Sequence, residues 1–363
     1  MRVVVLGGTG NFGARIVRAL SADPRIELLI AGRRGRRLAG SEHLSSVALD
    51  LTSVDFGERL RALSPALMIN CTGPFQSQDY SVPLAALEAQ SHYVDLADGR
   101  EFVANFSSQV NAAATRVGRA AITGASTLPG LSSAVVEEFS RDLSELSSIE
   151  IVIAPGQRAP RGRATLKAVF SYLGKPFPVW REGRWQLVCG WMDLRQVRLD
   201  IGRRLAAACD VPDLGLFPGH FGGVRTVTFH AALELAVQHV ALWCLAALRR
   251  VGTPFPVERW AVAFNRVAGL FDLLAGDRGG MCVKVIGRKL DGAPVSRSWQ
   301  LAAPAVNGPE IPCMPAILLA RSLSRDREVK SGAYPCIGLL RLAEFEPEFA
   351  RWGISTRVVE APL

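Results

Sequence analysis

The stretch VVVLGGTGNFGARIVRAL, residues 3–20, contains an apolar run, a cluster of glycines and a helical pattern in succession. The consecutive valines predict a short buried strand. Apolar residues then recur with the period of an amphipathic helix, at Phe12, Ile16, Val17 and Leu20. The stretch therefore predicts a strand, a glycine turn and a helix at the start of the chain.

The glycines in this turn have the spacing G-x-G-x-x-G. Gly8 permits a tight turn, Gly10 lets a pyrophosphate approach the backbone, and Gly13 lets the helix pack on the strand. Backbone N–H groups at the start of the helix then point at the phosphates. We expect a bound dinucleotide, contacted by Gly8, Thr9, Gly10, Asn11, Phe12 and Gly13.

Strands and helices alternate through the first part of the chain. Strands are predicted at 2–7, 26–32, 45–51, 66–73, 92–97 and 119–124. Helices are predicted at 54–63, 80–90, 101–117 and 130–143. This alternation predicts an α/β fold with a Rossmann-type, doubly wound parallel sheet. Ligands of such sheets bind at the carboxyl ends of the strands, so the residues just after each strand matter most.

The end of the second strand bears on the choice between NAD(H) and NADP(H). NAD-binding proteins place an Asp or Glu there for the ribose hydroxyl, whereas this chain has Ala31-Gly32-Arg33-Arg34. An arginine can pair with a 2′-phosphate through its planar fork, so Arg33 and Arg34 favour NADP(H) over NAD(H). The alternative is that residues 32–37 form a solvated loop.

The next two strand ends also suit a nucleotide. Asp50 follows the third strand, where it faces the adenine edge or simply initiates a turn. The fourth strand ends in small residues and a proline, which leave room for a nicotinamide ribose: Cys71, Thr72, Gly73 and Pro74.

Two longer stretches resemble a known enzyme family. INCTGPFQSQDYSVPLAALEAQSHYVDLADGREF (69–102) and ITGASTLPGLSSAVVEEF (122–139) are similar to the saccharopine dehydrogenase-like oxidoreductases, more closely to their saccharopine reductase branch. In that family a strand ends in N-x-x-G-P-F, a helix leads to H-Y-x-D, and a loop containing P-G opens the last helix of the nucleotide domain. Segments 276–292 and 308–323 also resemble it. The resemblance implies hydride transfer between a nicotinamide and a C=N, C=O or activated C=C bond, and a homodimer.

The pattern changes after about residue 145. We expect strands at 148–155 and 222–230, hairpins at 176–191 and 281–303, and helices at 231–250 and 257–274. These elements predict a second, α+β domain with a mixed or antiparallel sheet. The family resemblance implies that this domain makes the substrate and dimer contacts. The expected domains are therefore 1–143 and 144–335, with 336–363 returning to pack on the first domain.

Hydride transfer to a polar double bond needs a proton donor. The catalytic candidates are Tyr80, Tyr93 and Asp95, and Ser126 and Thr127 are substrate-binding candidates. Tyr93 has an alternative as a core aromatic residue, and Asp95 as a helix cap. His230 is expected in the core or at a strand end, with a role as a catalytic acid as the alternative. Arg158, Arg161 and Arg163 bind a carboxylate or lie in a solvated loop. No Tyr-x-x-x-Lys pair and no metal-ligand spacing is present in the sequence.

The composition limits the kinds of partner and the location that we expect for this protein. The net charge is +9, but the basic residues form no stripe with interleaved aromatics, so we expect no nucleic-acid binding. The seven cysteines lie far apart, which favours reduced thiols and a cytoplasmic protein. The apolar stretch 231–248 contains Glu234, Gln238 and His239 and predicts a buried helix, or one in peripheral contact with a membrane.

The apolar content of 231–274 indicates a small apolar or lipid-like substrate. Because no convincing catalytic acid stands out, the alternative function is a non-catalytic nucleotide-binding or membrane-associated interaction protein.

Overall fold

The computed structural model describes residues 1–33, 44–160, 163–252, 269–272 and 276–362, with the backbone alone over 163–167. The chain divides into two compact units. The first contains residues 1–131 and 310–340, and the second contains residues 132–309 and 341–363.

The first unit is built on a seven-stranded sheet with the order β15-β6-β5-β4-β1-β2-β3. Its strands are β1 (Arg2–Leu6), β2 (Glu27–Gly32), β3 (Leu44–Ala48), β4 (Leu67–Asn70), β5 (His92–Asp95), β6 (Ala120–Thr123) and β15 (Gly332–Pro335). Every pairing is parallel. The strand order reverses between β1 and β4, which is the point where doubly wound sheets bind their ligands.

Helices α1 (Gly13–Leu20), α2 (Phe56–Leu63), α3 (Ser81–Glu88) and α4 (Arg100–Val117) connect these strands in sequence. The five central strands β1, β2, β4, β5 and β6 are buried almost throughout, as expected for a parallel sheet covered on both faces, whereas the edge strand β3 is partly exposed. The fold class predicted from the alternation is confirmed.

The second unit contains a larger mixed sheet. Its main path is β10-β11-β12-β7-β13-β14-β16, and β8 and β9 form a hairpin attached to β12. The strands are β7 (Leu143–Ala154), β8 (Pro176–Arg181), β9 (Arg184–Cys189), β10 (Arg195–Leu199), β11 (Gly202–Ala208), β12 (Thr226–Ala232), β13 (Arg278–Lys289), β14 (Pro294–Pro304) and β16 (Ser355–Pro362). β7 and β12 are parallel and the neighbouring pairs are antiparallel, so the predicted α+β character is confirmed.

The helices of the second unit are α5 (Ser132–Ser140), α6 (Arg163–Tyr172), α7 (Asp213–His220), α8 (Ala236–Arg250) and α10 (Glu346–Arg351). Helix α9 (Met314–Leu323) belongs to the first unit. In that unit the Arg321 guanidinium of α9 donates to the Ala19 carbonyl of α1 at 3.3 Å.

The domain boundaries differ from those expected. The return to the first unit is made by residues 310–340, because β15 pairs with the open edge of β6. Residues 341–363 belong instead to the second unit, where β16 pairs with β14. Of the segment 336–363 that was expected to pack on the first domain, only 336–340 belongs to that unit, and the expectation is wrong for 341–363.

One expected helix also begins later than the sequence indicates. The helix assigned to 231–250 begins at Ala236, since residues up to Ala232 pair with β11 and complete β12. Residues 257–268 and 273–274 of the other expected helix lie outside the described residues.

Two groups of polar contacts link distant segments within the second unit. The Arg297 guanidinium, 11% exposed, contacts the carboxylates of Asp142 and Glu360 and the Phe139 carbonyl. The Ser132 hydroxyl donates to the carboxylate of Asp213, and both residues are buried. Burial raises the pKa of Asp213 to about 7.

Candidate functional site

The glycine turn after β1 is held by backbone contacts. The Gly7 N–H donates to the Ala31 carbonyl at 2.9 Å, and the Gly10 N–H donates to the Gly7 carbonyl at 2.9 Å. Gly7 has φ +76°, a left-handed conformation that favours glycine. The tight-turn role assigned to Gly8 therefore belongs to Gly7, which the spacing rule overlooked although the doubled glycine was visible.

The remaining glycines leave no room for side chains. A Cβ at Gly8 would lie 2.9 Å from Ile30 Cγ2, and a Cβ at Gly10 would lie 3.1 Å from the Gly7 carbonyl oxygen. At Gly13 a Cβ would lie 2.3 Å from that same oxygen and 2.7 Å from Gly8 Cα. The turn is thus a bare backbone surface at the start of α1, where a phosphate can approach N–H groups. These residues fit a dinucleotide.

Charged side chains brace the turn. The Arg15 guanidinium donates to the backbone carbonyl and the side-chain oxygen of Asn11, each at 2.6 Å. Glu310, which is 3% exposed, pairs with Arg15 at 3.1 Å and also with Arg18. The Cys313 thiol lies 3.6 Å from the Phe12 carbonyl. Residues 310–313 were not expected at this site, because nothing in a local motif reports a contact across such a sequence distance.

Arg33 and Asp50 follow β2 and β3. Arg33 is exposed at the end of β2, and no carboxylate follows that strand before the described residues stop. The Asp50 carboxylate accepts the N–H of Thr52 at 3.0 Å and its hydroxyl at 2.9 Å. These bonds, with a smaller contribution from Arg33, lower the pKa of Asp50. Asp50 therefore initiates a turn and carries a negative charge close to Arg33. Arg34 lies outside the described residues.

The end of β4 is ordered by Asn70. The buried Asn70 side-chain oxygen accepts the Thr72 N–H at 3.0 Å, and its amide donates to the Tyr93 hydroxyl at 3.1 Å. Cys71, Thr72, Gly73 and Pro74 are half-buried. The Cβ that Gly7 lacks would lie 3.0 Å from Thr72 Cγ2, so the ends of β1 and β4 are in contact.

Asp95 joins the ends of β5 and β6. Its Oδ1 accepts the N–H groups of Ala97 at 2.9 Å and Gly124 at 2.8 Å, and the Thr123 hydroxyl at 2.9 Å. Its Oδ2 is buried without a hydrogen-bond partner among the described residues. Burial raises the pKa of this carboxyl to about 6, although these three bonds and the Tyr93 hydroxyl favour its charged form.

The substrate-binding candidates Ser126 and Thr127 follow β6 and are half-buried. The Ser126 N–H donates to the Gly124 carbonyl at 2.7 Å, and the Leu131 N–H donates to the Ser126 carbonyl at 3.2 Å. Both candidates therefore stand at the carboxyl edge of the sheet, close in sequence to the loop that Asp95 holds.

The described residues contain no helix that is long and apolar enough to cross a membrane. The stretch at 231–248 therefore provides no span, and His239 within it is fully buried.

Comparison with known proteins finds similarity in three-dimensional structure. No family model matches the chain, and no curated protein matches it. The structure is similar to apo saccharopine dehydrogenase (L-Glu forming) from Saccharomyces cerevisiae, with a TM-score of 0.67 and 12% identity over 99% of each chain. The chain has the saccharopine dehydrogenase fold. This finding confirms, at the level of the fold, the resemblance seen in the sequence.

A second solved structure shares this saccharopine dehydrogenase fold. Homospermidine synthase from Legionella pneumophila, solved in complex with NAD, has a TM-score of 0.63 and 12% identity, covering 100% of this chain and 91% of that chain.

Within this saccharopine dehydrogenase fold, the two tyrosine candidates have packing roles. The Tyr80 hydroxyl donates to the Phe102 carbonyl at 3.0 Å, and its ring stacks on Phe102 at 4.8 Å. Tyr93 is fully buried, and burial raises the pKa of its hydroxyl well above 10. The Tyr80 hydroxyl is thus engaged by a backbone carbonyl, and the Tyr93 hydroxyl is shielded from solvent.

Polar candidates of the second unit also have partners. His230 is 2% exposed and its Nε2 lies 3.4 Å from an Asp193 oxygen, which agrees with its expected place in the core. Arg158 donates to the Asp272 carbonyl at 3.0 Å. Arg161 and the side chain of Arg163 lie outside the described residues.

Proposed function

We propose that this protein is an NADP-dependent oxidoreductase of the saccharopine dehydrogenase type. The observation that carries the proposal is the bare glycine turn at the start of α1, which lies where the strand order of the sheet reverses. The saccharopine dehydrogenase fold supports the same reading, because its structural relatives named above are a dehydrogenase and a protein solved with NAD.

The preference for NADP(H) rests on Arg33. This exposed guanidinium follows β2, at the position where an acidic residue would bind the ribose hydroxyl of NAD. Asp50 lies close enough to Arg33 for the guanidinium to lower its pKa. A 2′-phosphate would compete with Asp50 for Arg33, and its greater charge and bidentate geometry favour the phosphate.

The nicotinamide, when bound, supplies or accepts the hydride. Residues Cys71–Pro74 at the end of β4 would face the nicotinamide ribose, and Ser126 and Thr127 would orient the polar group of the substrate. The Tyr80 hydroxyl is hydrogen-bonded to the Phe102 carbonyl, and the Tyr93 hydroxyl is buried. We therefore assign the proton that the substrate receives to a water molecule at this edge of the sheet. Asp95 acts as a positioning residue that holds the loop bearing Ser126.

We further propose a small apolar or lipid-like substrate, a homodimer and a cytoplasmic location. The seven cysteines are all free, which suits a reducing compartment.

The test is a fluorescence titration with NADPH and NADH. We expect wild-type protein to prefer NADPH, and R33A to lose about ten- to a hundredfold in NADPH affinity while NADH binding is unchanged, because only the 2′-phosphate contact is removed. The matched control is R61A, an exposed arginine of α2 whose ion pair with Glu88 is long, at 3.9 Å.

Equal losses for both nucleotides in R33A would contradict the assigned role. Turnover is then tested by NADPH absorbance with imines, ketones and enoyl thioesters. NADPH binding without consumption across all three classes would favour a non-catalytic nucleotide-binding protein.

A further inference from the structure

A cleft lies at the amino ends of the central strands of the first unit. It has a volume of about 590 Å³, and its lining includes Arg25, His92, Arg119, Leu323 and Asp326. His92 is the first residue of β5, and Arg119 immediately precedes β6. The glycine turn lies at the carboxyl ends of the same parallel strands. Strands of four residues separate the two edges by about 13 Å, so the cleft is distinct from the nucleotide site.

The hydrogen bonds of His92 determine its tautomer. Its Nδ1 accepts the backbone N–H of Ala120 at 3.0 Å. A neutral imidazole has one donor and one acceptor nitrogen, so the proton must be on Nε2. Burial and the nearby Arg119 charge lower the pKa of His92, which keeps the ring neutral at neutral pH. The Nε2–H is therefore a donor.

This donor faces another donor. Arg119 Nη1 lies 3.5 Å from His92 Nε2, and a guanidinium cannot accept a hydrogen bond. Arg119 Nε is also shielded from solvent, without a hydrogen-bond partner among the described residues. One arginine N–H, on Nη1, and the imidazole N–H thus lie side by side in a cleft whose lining also includes the carboxylate of Asp326. An anion with several oxygens is the group that satisfies such a set of donors.

Positively charged side chains outnumber negatively charged ones around the cleft. A neighbouring cleft of about 610 Å³ shares His92 and Asp326 and adds Arg327 and Lys330 to the cations. Arg25 is held by Asp23 at 2.9 and 2.7 Å, so its charge is largely balanced. The carboxylates of the two linings are Asp326 and Glu328, fewer than the Arg and Lys cations. Volumes of this size accommodate a small metabolite.

We propose that this cleft binds the phosphate group of a small anion, whose oxygens accept hydrogen bonds from both His92 Nε2 and the guanidinium of Arg119. The site is separate from the dinucleotide site and goes beyond the proposed oxidoreductase activity. Free phosphate and a phosphate ester present the same oxygens to these donors, so the experiment includes both.

The test is isothermal titration of the full-length protein with inorganic phosphate and with glycerol 2-phosphate, at constant ionic strength, with acetate as a comparison anion. We expect phosphate to bind the wild type and R119Q to weaken it by about ten- to a hundredfold, since a charge-assisted contact is removed. H92N removes the Nε2 donor while its side-chain oxygen can still accept the Ala120 N–H, and it should also weaken binding. The control is R116Q, an exposed residue near the end of α4 that makes the same change in charge outside the cleft.

The variants also separate this proposal from the proposed function. NADPH binding should be unchanged in R119Q and H92N, whereas R33A should leave phosphate binding at the cleft unchanged. Tighter binding of glycerol 2-phosphate would identify an ester as the ligand, and equal or weaker binding would identify free phosphate. Phosphate affinity that survives in folded R119Q and H92N would overturn the proposal, as would acetate binding of equal strength or absence of binding to wild type.

Discussion

Replacing Gly13 by alanine tests the geometry of the glycine turn directly. The added Cβ would lie 2.3 Å from the Gly7 carbonyl oxygen, 2.7 Å from Gly8 Cα and 2.8 Å from the Gly7 carbonyl carbon. All three neighbours are backbone atoms, so no side chain can rotate to relieve the contact. Helix α1 and the turn must move apart by about 1 Å to restore ordinary contact distances.

The cost of that movement can be bounded. Overpacking of a well-packed site typically costs about 1–3 kcal/mol, and each kcal/mol lowers the melting temperature of a domain of this size by roughly 2–4 °C. The displaced N–H groups would also miss the phosphates of a dinucleotide, so NADPH affinity should fall at least about tenfold.

Gly57 offers the matched control. It lies in α2, and a Cβ there would meet nothing within 4 Å. G57A should raise stability by about 0.5–1 kcal/mol, because alanine loses less backbone entropy in a helix. Thermal melting and NADPH titration of both variants make the comparison. If G13A melts and binds NADPH like wild type, the turn is not the rigid backbone surface described above, and the assignment of the cofactor site loses its basis.

Three further outcomes are expected. R297A should lower the free energy of unfolding by about 1.5–3 kcal/mol, because Arg297 is nearly buried among charged partners, whereas exposed R288A should cost under about 1 kcal/mol in urea unfolding. Because burial raises the pKa of Asp213 to about 7, its contribution to stability is full below about pH 4 and is lost as pH rises through 7. D213N should therefore show a smaller drop in melting temperature than wild type between about pH 5 and about pH 8, and an unchanged drop would contradict the burial of this charge. Y80F should keep turnover with an accepted substrate within about twofold and cost about 1 kcal/mol of stability, since its hydroxyl serves the Phe102 carbonyl; a large loss of turnover would restore Tyr80 as the proton donor.

The sequence predicts the nucleotide side of the first unit well, because the signals there are local. A valine run, closely spaced glycines and a helical period occur within residues 3–20, and each depends on neighbours along the chain. The same is true of the hairpin formed by β8 and β9, which alternating residues around Glu182-Gly183 indicate.

Contacts between distant segments were not predicted. Glu310 beside Arg15, and β15 beside β6, depend on tertiary pairing that no local pattern records. The catalytic role of the tyrosine candidates stays a prediction for a related reason. A tyrosine in a strand has the same local sequence pattern whether its hydroxyl contacts a substrate or, as with Tyr93, the side chain of Asn70.

The chain returns to the first unit only at residues 310–340, and this affects when that unit can complete its folding. Roughly 200 residues separate β6 from β15, and Glu310 also follows the greater part of the second unit. A chain emerging from the ribosome therefore exposes the edge of β6, and leaves Arg15 without Glu310, until these later segments have been synthesised. The glycine turn is synthesised well before Glu310 and β15, so the nucleotide site gains these contacts only after the intervening residues have been made, and the pairing of such distant segments makes this a slow step in folding.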